Sequence, residues 1–210
     1  MFNDILKHFY WLFFKKSNFS QSYEEEVLLS IFSKTNKGFY IDVGCHHPKR
    51  YSNTALLYKK GWNGINIDSN SKNIKLFKLF RKRDHNIRAL VSESKAIFDY
   101  YYFNDSALNG CLSNSRVDLL LNKNYKIIKV EKILARRLDD IITESKVKFN
   151  RIDLLDIDVE GLDFQVLKSI NLEHYDVKVI LIEIGNQEKE ILEYLLKFNY
   201  HLFKRVDRNC

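Results

Sequence analysis

Carboxylate side chains stand in or directly after several apolar runs of this sequence. Carboxylates can bind hydroxyl groups or cations, and they can take a proton from a reacting group. The carboxyl ends of parallel strands meet at one edge of a sheet. The acids are therefore predicted to lie close together at that edge and to bind a polar, hydroxyl-bearing or cationic ligand. They are Asp42, Asp68, Asp156, Asp158, Glu160 and Glu183.

The apolar runs that carry these acids alternate with helix-like segments. Predicted strands lie at 39–44, 64–68, 86–91, 154–161 and 177–185. Apolar residues at helical spacing predict helices at 53–60, 71–83, 162–170 and 187–198. This alternation predicts parallel strands joined by crossovers, and nearly continuous apolar strands predict a sheet covered on both faces. The expected fold is α/β, a doubly wound and mostly parallel sheet with helices on both faces.

Two segments depart from the simple alternation. The span from about 96 to 133 is too long for a plain connection, and it is predicted to insert an extra strand pair or lid over the functional edge of the sheet. The segment NYHLFKRV at 199–206 predicts a sixth strand near the carboxyl terminus.

The amino-terminal segment is rich in large apolar side chains. At helical spacing, those of residues 2–14 form one stripe. We therefore predict an aromatic amphipathic helix over 1–19, followed by a single domain over 20–210. The helix is expected to cover the core or a partner subunit, which would make the protein a homo-oligomer. Because a lysine pair follows the apolar run, peripheral membrane contact through 2–16 is the alternative.

Composition narrows the class of protein. The 210 residues are 45% hydrophobic, as in an ordinary globular protein. No stretch approaches the roughly 20 apolar residues of a membrane-spanning helix. The 34 basic and 27 acidic side chains leave a net charge of +7, but the lysines are spread along the chain and indicate solvated helix faces. Cys45, Cys111 and Cys210 are odd in number and far apart, which favours a reducing cytoplasm.

The first strand–loop–helix unit indicates the kind of ligand. A dinucleotide site would carry G-x-G-x-x-G, but the segment DVGCHHPKRYSN at 42–53 holds one glycine, Gly44, and no phosphate nest. Asp68 ends the second strand, where an acid typically accepts both ribose hydroxyls. A ligand with a ribose and no phosphates is therefore favoured. S-adenosylmethionine, which also carries an amino-acid zwitterion and a sulfonium cation, meets these requirements.

Five sequence blocks occur in a familiar order. They are SQSYEEEVLLSIF (20–32), GFYIDVGCHHPKRYSNT (38–54), LYKKGWNGINIDSNS (57–71), LDDII (138–142) and IDLLDIDVEGLDFQVLKSI (152–170). Together they resemble the FkbM family of S-adenosylmethionine-dependent methyltransferases over about 20–205. The resemblance implies a Rossmann-like, class I methyltransferase fold and methyl transfer to a hydroxyl oxygen of a glycan sugar or small metabolite. It also implies that Asp42 and Gly44 border the methionine moiety and that Asp68 holds the ribose.

A hydroxyl is a weak nucleophile, so a general base is expected beside it. Asp158 and Glu160 are the leading candidates, because crowded like charges raise a carboxyl pKa toward neutrality. Asp158 could instead bind the amino group of the cofactor or cap the next helix. His46 is a further candidate base. Asn53 is expected to cap its helix or to contact the cofactor. The acids could take Mg²⁺, but nothing in their spacing demands a metal.

Two other functions remain open at this stage. The positive charge and the basic helix at 72–83 could serve an RNA methyltransferase. No RNA-binding motif accompanies them, so no nucleic-acid partner is expected. An inactive, cofactor-binding scaffold in glycan assembly is the non-enzymatic alternative, and the intact set of Asp42, Asp68 and Asp158 argues against it.

Overall fold

A parallel sheet covered by helices forms the centre of the molecule. The computed structural model describes residues 19–206, so the predicted helix over 1–19 lies almost entirely outside the described residues. The strands are β1 Phe39–Val43, β2 Asn63–Asp68, β3 His85–Arg88, β4 Leu90–Val91, β5 Ile97–Phe103, β6 Ile127–Arg136, β7 Ile152–Ile157 and β8 Val177–Ile182. The helices are α1 Glu24–Ile31, α2 Ala55–Lys59, α3 Ser71–Phe80, α4 Asn114–Asn122, α5 Leu138–Ser145, α6 Asp163–Leu167 and α7 Glu188–Leu196.

The central sheet has five strands in the order β3-β2-β1-β7-β8, and every neighbouring pair is parallel. Alternate side chains of β1 pack into two separate hydrophobic cores, one on each face of the sheet. Ile41 packs on one face in a cluster that includes residues of α5, α6 and α7. Tyr40 packs on the other face with Leu28 of α1 and Leu57 of α2. Helices thus cover both faces, which confirms the predicted doubly wound α/β fold.

The predicted third strand divides at Ala89. Its first part, β3, pairs with β2, whereas β4 leaves the central sheet and pairs with β6. The backbone N–H of Ala89 donates to the carbonyl of Asp68 at 3.2 Å, at the point where the chain changes sheets. A second sheet of order β4-β6-β5 results, in which β5 and β6 are antiparallel. It holds the extra strand pair that the long span at 96–133 predicted.

The structure corrects two strand boundaries and one predicted strand. The fourth predicted strand ends at Ile157 instead of 161, because the chain turns away at Glu160 and Gly161 with positive φ values of 53° and 116°. The fifth ends at Ile182 instead of 185. The predicted sixth strand at 199–206 does not form: the segment has no strand, and only Val206 carries an isolated bridge. No helix of the described part of the chain is both long and apolar enough to cross a membrane.

Candidate active site

The turn after β1 brings two strand ends into backbone contact. Gly44 has φ +90°, and its N–H donates to the carbonyl of Ile67 at 2.9 Å. The N–H of Asp158 donates to the carbonyl of Val43 at 3.0 Å. A Cβ atom at position 44 would stand 1.7 Å from the carbonyl oxygen of Asp158. Only glycine fits here, because any side chain would collide with the backbone that follows β7.

Asp68, at the end of β2, is held by three hydrogen bonds. Its carboxylate accepts from the backbone N–H of His46 at 2.9 Å, from that of Asn70 at 2.6 Å and from the side-chain amide of Asn73 at 2.9 Å. The side chain is buried, and burial raises its pKa above the usual range. A carboxylate has about four acceptor positions. Asp68 is therefore fixed in orientation and retains acceptor capacity for a ligand hydroxyl.

A cavity opens at this edge of the sheet. It is lined by Gln21, Val43, Gly44, His46, Tyr51, Ile67, Asp68, Ser69, Asn73, Ala89, Leu90, Val91, Tyr100, Ser106, Ala107, Asn109, Asp158, Val159 and Glu160. Tyr100 and the three residues Ser106, Ala107 and Asn109 come from the insertion, which therefore lines the cavity at the carboxyl ends of the strands. Among the described lining residues three are acidic and none is Lys or Arg. The cavity therefore suits a cation or a hydroxyl-rich ligand and disfavours a phosphate.

The loop after β7 carries two of the candidate bases. Its shape is held by Asp163, whose carboxylate accepts from the N–H groups of Val159 at 2.9 Å and Gly161 at 3.2 Å. Asp158 and Glu160 lie in this loop and line the cavity. Because β7 has already ended at Ile157, strand alternation does not place them there. The Asp163 turn places them.

Asp158, Glu160 and Glu183 form a cluster of carboxylates. One oxygen of each lies within 4.8 Å of the others. Burial, and then the Glu183 charge, raise the pKa of Asp158 well above the usual range. The guanidinium of Arg116 stands 3.9 Å from the Glu160 carboxylate. Such a cluster can share a proton, and its oxygen atoms could hold a divalent cation or a cationic ligand group.

A second cavity lies beyond this cluster, and Glu160 lines both cavities. Its described lining is Leu112, Ser113, Ser115, Arg116, Leu119, Glu160, Gly161, Asp163, Glu183, Ile184, Gly185, Asn186 and Gln187. Helix α4 of the insertion contributes Arg116 and Leu119, and the segment after β8 contributes Glu183 and its successors. The two cavities can therefore receive two different molecules on either side of the carboxylates.

Asp42 and Asn53 lie apart from the lining of the first cavity. Asp42 accepts a hydrogen bond from the Thr54 hydroxyl at 2.6 Å, and it is paired in register with Asp156 across β1 and β7. The Asn53 amide donates to Asp156 at 3.2 Å. Burial raises the pKa of Asp42 to about 6 and that of Asp156 well above its usual range. These residues fix the loop after β1, and a direct cofactor contact for Asp42 or Asn53 stays a prediction.

The N-terminal end of the helix predicted at 53–60 differs from the predicted, side-chain-capped one. Helix α2 begins at Ala55, and the preceding Thr54 makes no side-chain hydrogen bond to the helix backbone. Its hydroxyl is directed to Asp42 instead. The polar side chains of Asn53 and Thr54 therefore donate hydrogen bonds to the buried carboxylates of Asp156 and Asp42.

A buried arginine, Arg81, supports the same loop and was missed in the sequence. Its side chain is 2% exposed, and it donates to the Pro48 carbonyl and to the Ser52 hydroxyl, each at 3.0 Å. It also donates to the Tyr40 hydroxyl at 3.0 Å and lies 3.7 Å from Asp84. Arg81 stands in a run of three basic residues, so composition placed it on a solvated face. No local signal distinguishes it from its neighbours.

The two histidines of the loop have different surroundings. His46 lines the cavity with φ +50°, and its backbone reaches Asp68. His47 is buried, and its Nδ1 accepts from the N–H groups of Lys49 at 3.1 Å and Arg50 at 2.9 Å. His47 therefore stabilises the turn. Of the two histidines, only His46 lines the cavity in which a base would act.

The sheet order, the glycine turn after β1 and the acid that ends β2 define a Rossmann-like α/β fold with its ligand site at the carboxyl ends of the strands. The family model described as "Methyltransferase FkbM domain" matches residues 42–202, most of the chain. The protein therefore belongs to the FkbM methyltransferase family, as its motifs predicted. No curated protein and no solved structure matches the chain.

Proposed function

We propose that this protein is an S-adenosylmethionine-dependent O-methyltransferase that acts on a hydroxyl of a sugar, glycan or small metabolite. One observation carries the proposal. The cavity at the sheet edge combines the fixed Asp68 with Asp158 and Glu160, and its described lining holds no Lys or Arg. A negatively charged lining without Lys or Arg to bind a phosphate favours a ligand that joins a ribose to cationic groups.

The residues present fit that cofactor. Asp68 is placed to accept from the ribose hydroxyls. Gly44 lacks a side chain where a close backbone approach is needed, and Ala89 and Leu90 offer an apolar wall for a purine ring. The carboxylate of Asp158 is suited to an ammonium or sulfonium group. The cofactor, when bound, supplies an electrophilic methyl group on positively charged sulfur.

The protein contributes alignment and proton transfer. Holding an acceptor hydroxyl in line with the methyl group can contribute roughly 7–11 kcal/mol. A positioned base that takes the hydroxyl proton contributes about 10²–10⁴-fold in rate. Asp158 is the leading base, because its raised pKa makes its carboxylate a stronger proton acceptor near neutral pH. Glu160 and His46 are the other candidates on the cavity wall.

The second cavity is proposed to receive the acceptor. It shares Glu160 with the first cavity, so an acceptor there would meet the carboxylates from the opposite side. Carboxylates and the Asn186 and Gln187 amides suit a molecule with several hydroxyls. A nucleic-acid partner is not proposed, because Arg116 is the only basic residue in its described lining. The free thiols of Cys45 and Cys111 suit a reducing cytoplasm.

The test is methyl transfer from isotopically labelled S-adenosylmethionine to a panel of sugars, hydroxylated metabolites, amines and RNA. We expect label only in hydroxyl acceptors, with the methyl group located on oxygen by mass spectrometry. Asp158→Asn should lower turnover about 10²–10⁴-fold, whereas the exposed Asp99→Asn on β5 should not. Transfer to amines or RNA alone would contradict the proposal.

A further inference from the structure

Positive charge is concentrated in one stretch of the chain. Residues 43–92 include eleven basic and two acidic side chains, a net charge of +9, whereas the whole chain carries +7. The rest of the chain therefore has a net charge of −2. Lysines occur along the whole sequence, but the surplus of positive charge belongs to this stretch.

The two acids of the stretch are buried. Asp68 is 7% exposed and Asp84 is 8% exposed. Asp84 accepts hydrogen bonds from the Tyr40 hydroxyl at 2.6 Å and from the Gly64 N–H at 3.0 Å. The stretch thus presents basic side chains to solvent and no exposed carboxylate. Six of them are exposed lysines, which together we call the lysine surface: Lys59, Lys60, Lys72, Lys75, Lys78 and Lys82.

Helices α2 and α3 place these lysines on adjoining parts of the molecule. The guanidinium of Arg83, just beyond α3, lies 3.8 Å from the centre of the Tyr58 ring on α2. Burial, and then the charge of Lys59, lower the pKa of Lys49 in the loop before α2. Positive charges therefore lie close enough together to repel one another, and a negatively charged partner would relieve that repulsion.

The outward face of α3 combines lysines with an apolar side chain. Lys72, Lys75 and Leu79 follow one another at spacings of three and four residues, so they share one face of the helix. Leu79 is 58% exposed, whereas Ile74 and Phe77 on the inner face are buried. A basic helix face with an exposed leucine is typical of a helix that lies on a membrane. There the lysines contact lipid headgroups and the leucine enters the boundary of the acyl chains.

The arginines of this stretch are engaged within the protein. Arg81 is buried, and Arg88 pairs with Glu131 at 2.8 Å. The guanidinium of Arg50 lies over the Tyr51 ring, 4.6 Å from its centre. Proteins bind nucleic acids through arginine side chains and through exposed aromatic rings on which bases stack. Here the outward charge is carried mostly by lysines, whose compact charges suit the diffuse negative potential of a layer of lipid headgroups.

We propose that the lysine surface binds an anionic membrane, with Leu79 inserted among the lipid headgroups. Asn73, in the first turn of α3, lines the first cavity and donates to Asp68. Docking through α3 therefore holds that cavity close to the lipid surface. This contact uses the folded domain, and it differs from the membrane contact that the sequence offered as an alternative for 2–16.

Co-sedimentation of the full chain with lipid vesicles tests the proposal. The vesicles are made of phosphatidylcholine alone, or of phosphatidylcholine with an equal amount of phosphatidylglycerol. We expect binding only to the anionic vesicles, and weaker binding at high salt.

A variant with four lysines replaced tests which surface makes the contact. The combined changes Lys72→Gln, Lys75→Gln, Lys78→Gln and Lys82→Gln should weaken vesicle binding about 10²–10³-fold. The reason is that each lysine near an anionic surface contributes about fivefold. The matched control loses the same charge through four exposed lysines elsewhere and should bind about as the parent does. Its changes to Gln are at Lys123, Lys126, Lys132 and Lys197.

Leu79→Ser distinguishes a membrane from other anionic partners. It should weaken vesicle binding about threefold or more, because the burial of an apolar side chain in the lipid is lost. Leu121→Ser, a change of an exposed leucine on α4, should not. Vesicle binding that is absent, or that is unchanged in the four-lysine variant or in Leu79→Ser, would overturn the proposal. So would binding of a labelled single-stranded RNA that needs the four lysines but not Leu79, since the surface would then bind a nucleic acid.

Discussion

Gly44 and Asp158 meet through their backbones, and the carbonyl oxygen of Asp158 occupies the space that a side chain at position 44 would need. The two residues directly follow neighbouring strands, β1 and β7, and both line the cavity proposed for the cofactor. The contact therefore sets the distance between the turn that would cradle the cofactor and the carboxylate that would act on the acceptor.

Gly44→Ala is predicted to weaken S-adenosylmethionine binding at least tenfold and to lower stability, because both the positive φ and the close contact must change. Gly61→Ala isolates the first effect: Gly61 has φ +101°, and a Cβ there would meet nothing within 4 Å. That control should cost about 1–3 kcal/mol of unfolding free energy and leave binding unchanged. Calorimetric titration and denaturant unfolding measure the two quantities. If Gly44→Ala and Gly61→Ala changed S-adenosylmethionine binding equally, the close contact between position 44 and Asp158 would not explain the loss of binding.

Arg81→Leu is predicted to destabilise the protein by about 3–5 kcal/mol, since it leaves Asp84 buried without its positive partner. It also removes the hydrogen bonds that hold Pro48 and Ser52 in the loop after β1. Arg83→Leu is the matched control, because the Arg83 side chain is more exposed and donates only to backbone carbonyls. Denaturant unfolding should show a much larger loss of unfolding free energy in Arg81→Leu than in Arg83→Leu. Similar losses in the two variants would contradict the predicted stabilising role of the buried Arg81.

The rate of methyl transfer should depend on pH through Asp158. A general base works as its anion, so activity should fall as pH decreases through the pKa of Asp158. Because burial and Glu183 raise that pKa, the fall should be centred well above pH 4. A pH profile of kcat at saturating cofactor measures it. A profile that is unchanged in shape in Asp158→Asn would assign the ionisation to another group.

Stability should decrease as pH rises, through the buried pair Asp42 and Asp156. Their folded-state pKa values are raised, to about 6 for Asp42, so the folded state binds protons more tightly than the unfolded chain does. The resulting stabilisation is complete below about pH 4 and is lost as pH rises through the folded values. Asp156→Asn removes one of the two charges and can keep the hydrogen bond from Asn53. It should be more stable than the parent at pH 8 by roughly 1–3 kcal/mol.

Asp153→Asn provides the control for that pH dependence. Asp153 lies on the same strand, but its oxygens are bonded to the Phe39 N–H at 3.0 Å and to the Arg151 side chain at 2.9 Å. This change removes a favourable ion pair and should not stabilise the protein at pH 8. Thermal or urea unfolding at pH 4 and pH 8 distinguishes the variants. A parent protein with flat stability over this range would contradict the raised pKa values.

The central sheet could be predicted because its strands are short, nearly continuous apolar runs that end in acids and glycine. That pattern also placed Asp68 and Asp158 at the edge of the sheet where the first cavity opens. The strand ends were less predictable. Ile157 and Glu160 belong to one apolar-acidic run, and the hydrogen bonds of Asp163 to the backbone of Val159 and Gly161, which the run itself does not indicate, separate the strand from the loop. At 199–206 the apolar alternation was present, but a strand also needs a neighbour, which local sequence does not reveal.

Other parts of the site depend on contacts between residues far apart in sequence. The Asp42 side chain accepts a hydrogen bond from Thr54 and is paired in register with Asp156, and neither partner could be read from the segment around Asp42. Arg81 reaches residues 33 and 29 positions away, so its charge run gave no indication of burial. Such networks arise from tertiary packing, and spacing along the chain does not encode them.

Calorimetric titration of the protein with S-adenosylmethionine, and separately with NAD, tests the central claim most directly. We predict micromolar binding of the first ligand alone. Asp68→Ala should weaken that binding about tenfold or more, because a charged hydrogen bond contributes roughly 1.5–3 kcal/mol. Asp118→Ala, a surface change on α4, should bind as the parent does. Binding of NAD, or S-adenosylmethionine binding that is unaffected in Asp68→Ala, would contradict the assignment of this cavity.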